Sequence, residues 1–342
     1  MIKYLGSKRS LVPLIRAMVL RLPVRSVCDL FAGTTRVGQA LRSAGLHVVS
    51  NDTASYSEVF GRAYVEADEE LDRARVRALL TDLQELPPVR GYVTRTFCED
   101  ARYFRPENGA RIDAIRTGID QLQLSDVERG VLLTSLLEAA DRVDSTVGLQ
   151  MAYLKKWAPR ARNPLELREP HAVTGPAGEV TRRDANELVR ELDCIDCAYV
   201  DPPYNQHSYF GNYHVWETIV RNDEPSAYGV ARKRADTREN RSLYNSKRHA
   251  FDALRDLVEN AVTPWLIVSF SNEGFHELER VRDLLSEVGY VAQTAVDFPR
   301  YVGAKIGIHN PQGERVGRVS HLRNRELLFV VGPDRTLVER AA

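Results

Sequence analysis

The residues with the clearest chemical capacity in this 342-residue chain are Asp201-Pro202-Pro203-Tyr204, which end the apolar run Cys197-Ala198-Tyr199-Val200. Neither proline has an N–H to give a sheet ladder, so a central strand must stop there and turn. Proline also drives the residue before it into extended geometry, which holds Asp201 at a strand tip. Pro202 then offers a carbonyl without an N–H of its own. A carboxylate and a carbonyl fixed side by side can each accept one N–H from an exocyclic amino group on a flat base, and Tyr204 can stack on the ring face. Ordinary strand-to-loop punctuation is the plainer reading of the same four residues.

A second reactant needs its own platform. Val27 to Thr35 reads as a short apolar strand entering a small-residue loop around Gly33. A helix over about 35–43, ended by Gly45, and a strand over His47–Asn51 complete a β-α-β unit whose crossover is expected to be right-handed. Gly33 lets the backbone approach a ligand, and the helix N-terminus offers free N–H groups. Asp52 lies 19 residues after Gly33, at the end of the second strand, where an acidic side chain can accept both ribose hydroxyls. The loop Gly33-Thr34-Thr35-Arg36-Val37-Gly38 lacks the full G-x-G-x-x-G, which argues for a nucleoside without a pyrophosphate. Upstream, Leu11, Leu14, Ile15, Met18 and Leu22 recur at helical spacing, with Ser7 as a candidate cap.

Asp29-Leu30-Phe31-Ala32-Gly33, Asp52 and Asp201-Pro202-Pro203-Tyr204, with Tyr4-x-Gly6-x-Lys8 ahead of them, resemble the S-adenosylmethionine-dependent DNA adenine N6-methyltransferases of the Dam type. The order of the motifs is that of the alpha group, with the cofactor motifs first, a target-recognition insertion next and the Asp-Pro-Pro-Tyr motif later. The resemblance implies an α/β fold: a Rossmann-like, mostly parallel sheet with an antiparallel final hairpin strand, carrying an inserted, mostly helical subdomain. It implies a catalytic domain over 1–53 and 176–342 and a target-recognition subdomain over 54–175. It makes Asp201, Pro202 and Tyr204 catalytic, and sets Tyr4, Lys8, Asp29, Phe31, Gly33, Asp52, Asp184 and Asp201 around S-adenosylmethionine. Asp184 reads equally well as an N-cap. The implied partner is double-stranded DNA, with a cognate restriction endonuclease encoded elsewhere if the enzyme is not a solitary one. Methyl transfer from a sulfonium to an amine requires no metal.

Two basic stretches are candidates for phosphate contact. One surrounds Trp157 in a proline-broken loop and includes Lys155 and Lys156. The other carries Arg232, Lys233, Arg234, Arg238, Arg241, Lys247 and Arg248 against two acids, and reads as a mobile DNA-gripping loop or as plain solvated surface. The connection over 301–322, with Arg315, Arg318 and His321, is expected near the DNA side, after a run over 205–214 expected to line a pocket for an extruded base. Residues 63–86 read as a charged amphipathic helix ended by Pro87-Pro88, and 123–143 as a second helix.

With 47 basic and 47 acidic residues, the chain has no overall attraction to nucleic acid, so any such binding must come from local clusters. No stretch has the length and apolarity of a membrane span, and no signal-peptide pattern opens the sequence, so a cytoplasmic location is expected. Cys28, Cys98, Cys194 and Cys197 form no disulfide framework, and Cys194-x-x-Cys197 has no second pair to complete a metal site. Cytosine-N4, RNA and protein-amide methyltransferases share similar proline-tyrosine motifs, and a nucleic-acid-binding protein without turnover could keep the fold. A nicotinamide dehydrogenase would explain Gly33 and Asp52 but leave Asp-Pro-Pro-Tyr without a role.

Overall fold

Short, largely apolar runs form the central strands among Ser26–Asp29 (β1), His47–Asn51 (β2), Glu179–Thr181 (β3), Cys197–Val200 (β4), Ala227–Tyr228 (β5), Lys233–Arg234 (β6), Trp265–Ser271 (β7), Tyr290–Pro299 (β8), Ile308–His309 (β9), Arg315–Gly317 (β10) and Arg323–Gly332 (β11). The computed structural model describes residues 2–6, 8–299, 308–309, 315–317 and 323–342. Ser7, read as a helix cap, and most of the 301–322 connection lie outside them. Seven strands make one sheet in the order β3-β2-β1-β4-β7-β11-β8. β3, β2, β1, β4 and β7 run parallel, and β11 pairs antiparallel with both β7 and β8. The last strand is therefore inserted between its neighbours, and β8 forms the edge. This is the mostly parallel α/β sheet that the motifs imply.

Strand side chains alternate between two cores, as a period of two requires. Cys197 and Tyr199 face the core that holds Leu11, at the N-cap of helix Val12–Leu20 (α1), Ile15 and Met18 within it, and Val37 and Leu41 of Arg36–Arg42 (α2). Ala198 and Val200 face the opposite core, under Ala250–Glu259 and Leu278–Ser286. Both faces are covered, so the central strands are buried throughout and read as continuous apolar runs.

A third cluster belongs to the helices between β2 and β3, and takes in Tyr213, Val215, Trp216 and Ile219 from beyond β4. These helices are Ser55–Gly61 (α3), Arg73–Glu85 (α4), Pro106–Asp120 (α5) and Asp126–Val143 (α6). The helix read over 63–86 is broken: a π-type turn covers Arg62–Glu66 and α4 restarts at Arg73. The acids at the break supply the reason, because Asp68 accepts the Glu70 N–H and Asp72 accepts the Arg75 N–H, which closes turns in place of a continuous helix. α6 starts three residues later than expected from the pattern, at a capping box of Ser125 and Glu128. Among the described residues no helix is long and apolar enough to cross a membrane.

Candidate active site

β1 and β4 are paired with Asp29 opposite Tyr199, so their ends open into the same cavity. Asn51, buried at the end of β2, gives one amide N–H to the Leu30 carbonyl and the other to that of Arg183, and accepts from Thr181 and the Arg183 N–H. One satisfied side chain thus ties three strand ends together. Beyond β1 the chain curls through Gly33 at φ +53° and Thr35 at φ +58° before entering α2. A Cβ on Gly33 would lie 3.0 Å from the Tyr4 ring, so in this chain the glycine makes room for an aromatic side chain as well as for a ligand.

The resulting cavity of about 900 Å³ is lined by Tyr4, Lys8, Asp29, Phe31, Gly33, Asp52, Asp184 and Asp201, which brings together every residue expected around a cofactor. Asp52 accepts the Gly33 N–H at 2.9 Å on one oxygen and the Ala54 N–H at 3.0 Å on the other. Burial raises its pKa, against the pull of these bonds. Asp29 Oδ1 is buried without a hydrogen-bond partner. Burial, then the charges of Asp201 and Asp52, push the Asp29 carboxyl up to about 8. Asp184 caps the next helical turn, accepting from the Asn186 and Glu187 N–H groups while also facing the cavity. Phe31 meets Tyr244 edge to face at 5.3 Å.

Tyr4 is held by a column of rings. It stacks on Tyr213 at 4.5 Å and Tyr209 at 5.5 Å, and its hydroxyl meets that of Tyr56 at 3.3 Å. Lys3, one residue before, gives its ammonium to the Asp141 carbonyl at 2.7 Å and to Asp144 at 3.0 Å. The first described residues are thereby fastened to α6.

At the β4 tip Asp201 and Pro203 line the cavity and Pro202 between them is buried, whereas the Tyr204 ring, expected to stack on a base, is half-buried and not part of the wall. The Tyr204 ring lies 5.9 Å from Phe270, with Lys8 Nζ 5.8 Å from its centroid. Asp201 pairs with Lys8 at 3.0 Å, and Lys8 also pairs with Glu326, itself held by the Ser269 hydroxyl at 2.6 Å. Burial pushes the Asp201 carboxyl up to about 6, with Lys8 pulling down and Glu326 pushing up. Burial opposes the charge of Lys8, yet Asp201 and Glu326 more than offset it and raise its pKa.

Glu326 escaped the sequence reading. Its only signal is a lone acid at the head of an apolar strand, and its partner Lys8 is 318 residues away. Glu217 also went unnoticed: it is buried in the helix His214–Arg221, lines the cavity and accepts the Ser55 and Tyr56 N–H groups, which caps α3. The run over 205–214 does contribute Ser208, Tyr209 and Phe210 to the cavity wall.

The basic candidates separate into two kinds. Arg234 is 1% exposed and gives its guanidinium to both Asp223 and Asp236, which leaves it no role at a phosphate. It sits on β6 of the β5-β6 ribbon, within the stretch expected to be a DNA loop, so this part of the stretch is paired structure and not a featureless loop. Arg238 lies 4.0 Å over the Tyr228 ring and Arg232 pairs with Asp100 at 3.1 Å. Lys233 is half-buried, whereas Lys155, Lys156, Lys247 and Arg248 are exposed. Cys194 is exposed, Cys28, Cys98 and Cys197 are buried, and all four are free thiols.

The chain is similar to several modification enzymes. It is 30% identical over 333 residues to the type II methyltransferase M.NlaIII of Neisseria lactamica, covering 93% of this chain and 98% of that one. It is 33% identical over 303 residues to the modification methylase StsI of Streptococcus sanguinis and 30% over 308 residues to the type II methyltransferase M.FokI of Planomicrobium okeanokoites. Of those two it spans about half, 46% and 47% of their lengths. The model of the D12 class N6 adenine-specific DNA methyltransferases matches residues 4–283, from Tyr4 through the Asp201 tip and on into the helix Leu278–Ser286. With the motifs in their order, the cavity they line and most of the chain matched, this protein belongs to the D12 class N6 adenine-specific DNA methyltransferase family.

Proposed function

We propose that the cavity binds S-adenosylmethionine beside Gly33 and that the chain methylates the N6 amine of an adenine turned out of double-stranded DNA. The observation that carries this reading is that Asp201, at a strand tip, shares one cavity with Asp29, Gly33 and Asp52. About 900 Å³ is large enough for a nucleoside and a base together.

The residues fit the cofactor. A buried carboxylate oxygen without a donor is costly, and Asp29 Oδ1 is such an atom. An amino-acid ammonium would satisfy it. Asp52 keeps lone pairs for ribose hydroxyls beyond the two backbone N–H groups it accepts. When bound, S-adenosylmethionine supplies a methyl group activated by a sulfonium. Asp201 and the Pro202 carbonyl accept the two N–H bonds of the incoming amine, which turns the nitrogen lone pair toward the donor. Lys8 keeps Asp201 ionised in a buried site, so the carboxylate can accept. Catalysis is then mostly positioning and fixed electrostatics.

Residues 54–175 serve as the target-recognition part, and Lys155, Lys156, Arg232, Lys233, Arg238, Lys247 and Arg248 meet phosphates. The positions of the exposed members support this. The similarity to type II methyltransferases supports a companion restriction endonuclease encoded elsewhere, whose sites the chain protects.

The test is nucleoside analysis of duplex DNA after incubation with the purified chain and S-adenosylmethionine. N6-methyladenine is the expected product. N4-methylcytosine in its place, or no methylated base, would overturn the proposal.

A further inference from the structure

Lys8 is shared between two carboxylates, and the proposed reaction needs only one of them. Glu326 is 1% exposed, against 8% for Lys8 and 16% for Asp201, and it lines no part of the cavity wall at the tip. β11 delivers it through the sheet: Glu326 sits opposite Ser271 on β7, and Ser269, two residues earlier on that strand, gives its hydroxyl to the Glu326 carboxylate. A buried ion pair often fails to repay the desolvation of its charges, so pairing with Lys8 does not by itself account for an acid on β11, the strand next to the sheet edge. Asp201 already pairs that ammonium at 3.0 Å.

We infer that Glu326 is a positioning residue for methyl transfer: it balances the charge of Lys8 so that the carboxylate of Asp201 remains available to the positive charge that develops on the target amine. The inference rests on the function proposed above. In the transfer the N6 lone pair forms the new N–C bond, the S–C bonding pair leaves with sulfur, and the positive charge passes to N6, which then releases a proton to Asp201 or solvent. Lys8 with Asp201 alone is a neutral pair. Adding Glu326 gives the cluster a net charge of −1, and an attractive field for that cation. In a water-poor site a fixed charge acts strongly and without reorganisation.

The groups facing Asp201 are Lys8, Glu326, Ser269, Asp29, Tyr199, Tyr204 and Tyr209. Of these, Glu326 is the acid that pushes the Asp201 carboxyl up most. Removing its charge should move the acid limb of the turnover profile to lower pH while slowing turnover at the plateau. A residue that only filled space would lower the plateau and leave the limb in place.

The experiment compares Glu326→Gln and Glu326→Asp with the wild type, measuring kcat against pH on duplex DNA and S-adenosylmethionine binding by calorimetry. Glu326→Gln is expected to lose on the order of 10² in kcat, to bind S-adenosylmethionine within about threefold of wild type, and to shift the acid limb downward. Glu326→Asp is expected to restore most of the turnover and the limb. Equal losses in both variants with an unmoved limb, or wild-type turnover in Glu326→Gln, would overturn the assignment. If Glu326→Gln does not fold, Ser269→Ala removes, without altering a charge, the hydroxyl that holds Glu326 and also bonds Asp201: a fall in kcat with the acid limb unmoved or lower is expected, whereas wild-type turnover, or a limb moved upward as loss of the Asp201 bond alone would give, would overturn the assignment. Failure of the wild-type arm to methylate DNA would instead remove the proposed function, and the inference with it.

Discussion

Asp29 is buried between Asp52 and Asp201 with one oxygen unsatisfied, and its carboxyl is pushed up to about 8. Its folded pKa lies above its unfolded value, so the folded state holds the proton more tightly. The stability this contributes is complete below about pH 4 and is lost as pH rises to about 8. Asp29→Asn removes that dependence, and its stability relative to wild type is expected to grow by on the order of 1 kcal/mol per pH unit between pH 5 and 8, measured by urea unfolding. The same substitution should weaken S-adenosylmethionine binding. A cation at Asp29 favours its ionised form, so wild-type affinity should rise with pH from 6 to 8 and that of Asp29→Asn should stay flat. A flat wild-type profile would contradict the proposed ammonium contact. The tip at Asp201, the turn at Gly33 and the acid at Asp52 were legible in the sequence because proline, glycine and a strand-end acid each act through their immediate neighbours. Glu326 was not, because its meaning depends on a lysine 318 residues away, brought close only by the insertion of β11.

At the scale of elements, the first residues act as a clasp. Lys3 is tied to α6 through Asp141 and Asp144, and Tyr4 and Lys8 follow it into the cavity. Burial pushes the Asp141 carboxyl up to about 6, with Lys3 pulling down. Lys3→Met should cost about 1 to 3 kcal/mol, since it leaves the buried Asp141 without its cation at a partly exposed pair, while Asp144 keeps Arg160. It should also weaken S-adenosylmethionine binding although Lys3 lies outside the cavity wall; unchanged affinity would show that the clasp does not place Tyr4. His47–Asn51 and Cys197–Val200 are legible because buried parallel strands are short apolar runs with sharp ends, whereas the ribbon Ala227–Tyr228 and Lys233–Arg234 is not, its second strand lying in a basic stretch that reads as a loop. The helices Pro106–Asp120, His214–Arg221 and Ala250–Glu259 were not read. In the first, buried Asn108, Asp113 and Arg116 interrupt the apolar stripe, each paired by groups distant in the chain.

For the whole molecule, a balanced charge of 47 basic and 47 acidic residues places the burden of DNA binding on a few exposed side chains. Lys247→Ala with Arg248→Ala should weaken binding to all duplexes alike and reduce the slope of log affinity against log salt by about 2, at roughly 0.9 per phosphate contact. An unchanged slope would remove both from the DNA surface. Arg234→Ala should behave differently, losing about 1 to 3 kcal/mol of stability because Asp223 and Asp236 lose their buried partner and keep only the exposed Arg221. Composition showed seven basic residues in this stretch and could not show which one the fold consumes. The acid pairs Asp223 and Asp236 make that choice from either side of Arg234.

The most direct measurement is single-turnover methyl transfer by Asp201→Ala, made alongside calorimetric binding of S-adenosylmethionine and a thermal unfolding curve. The expected result is a folded protein that binds S-adenosylmethionine and forms no N6-methyladenine. Substantial N6-methyladenine formed by that folded variant would contradict the role given to Asp201.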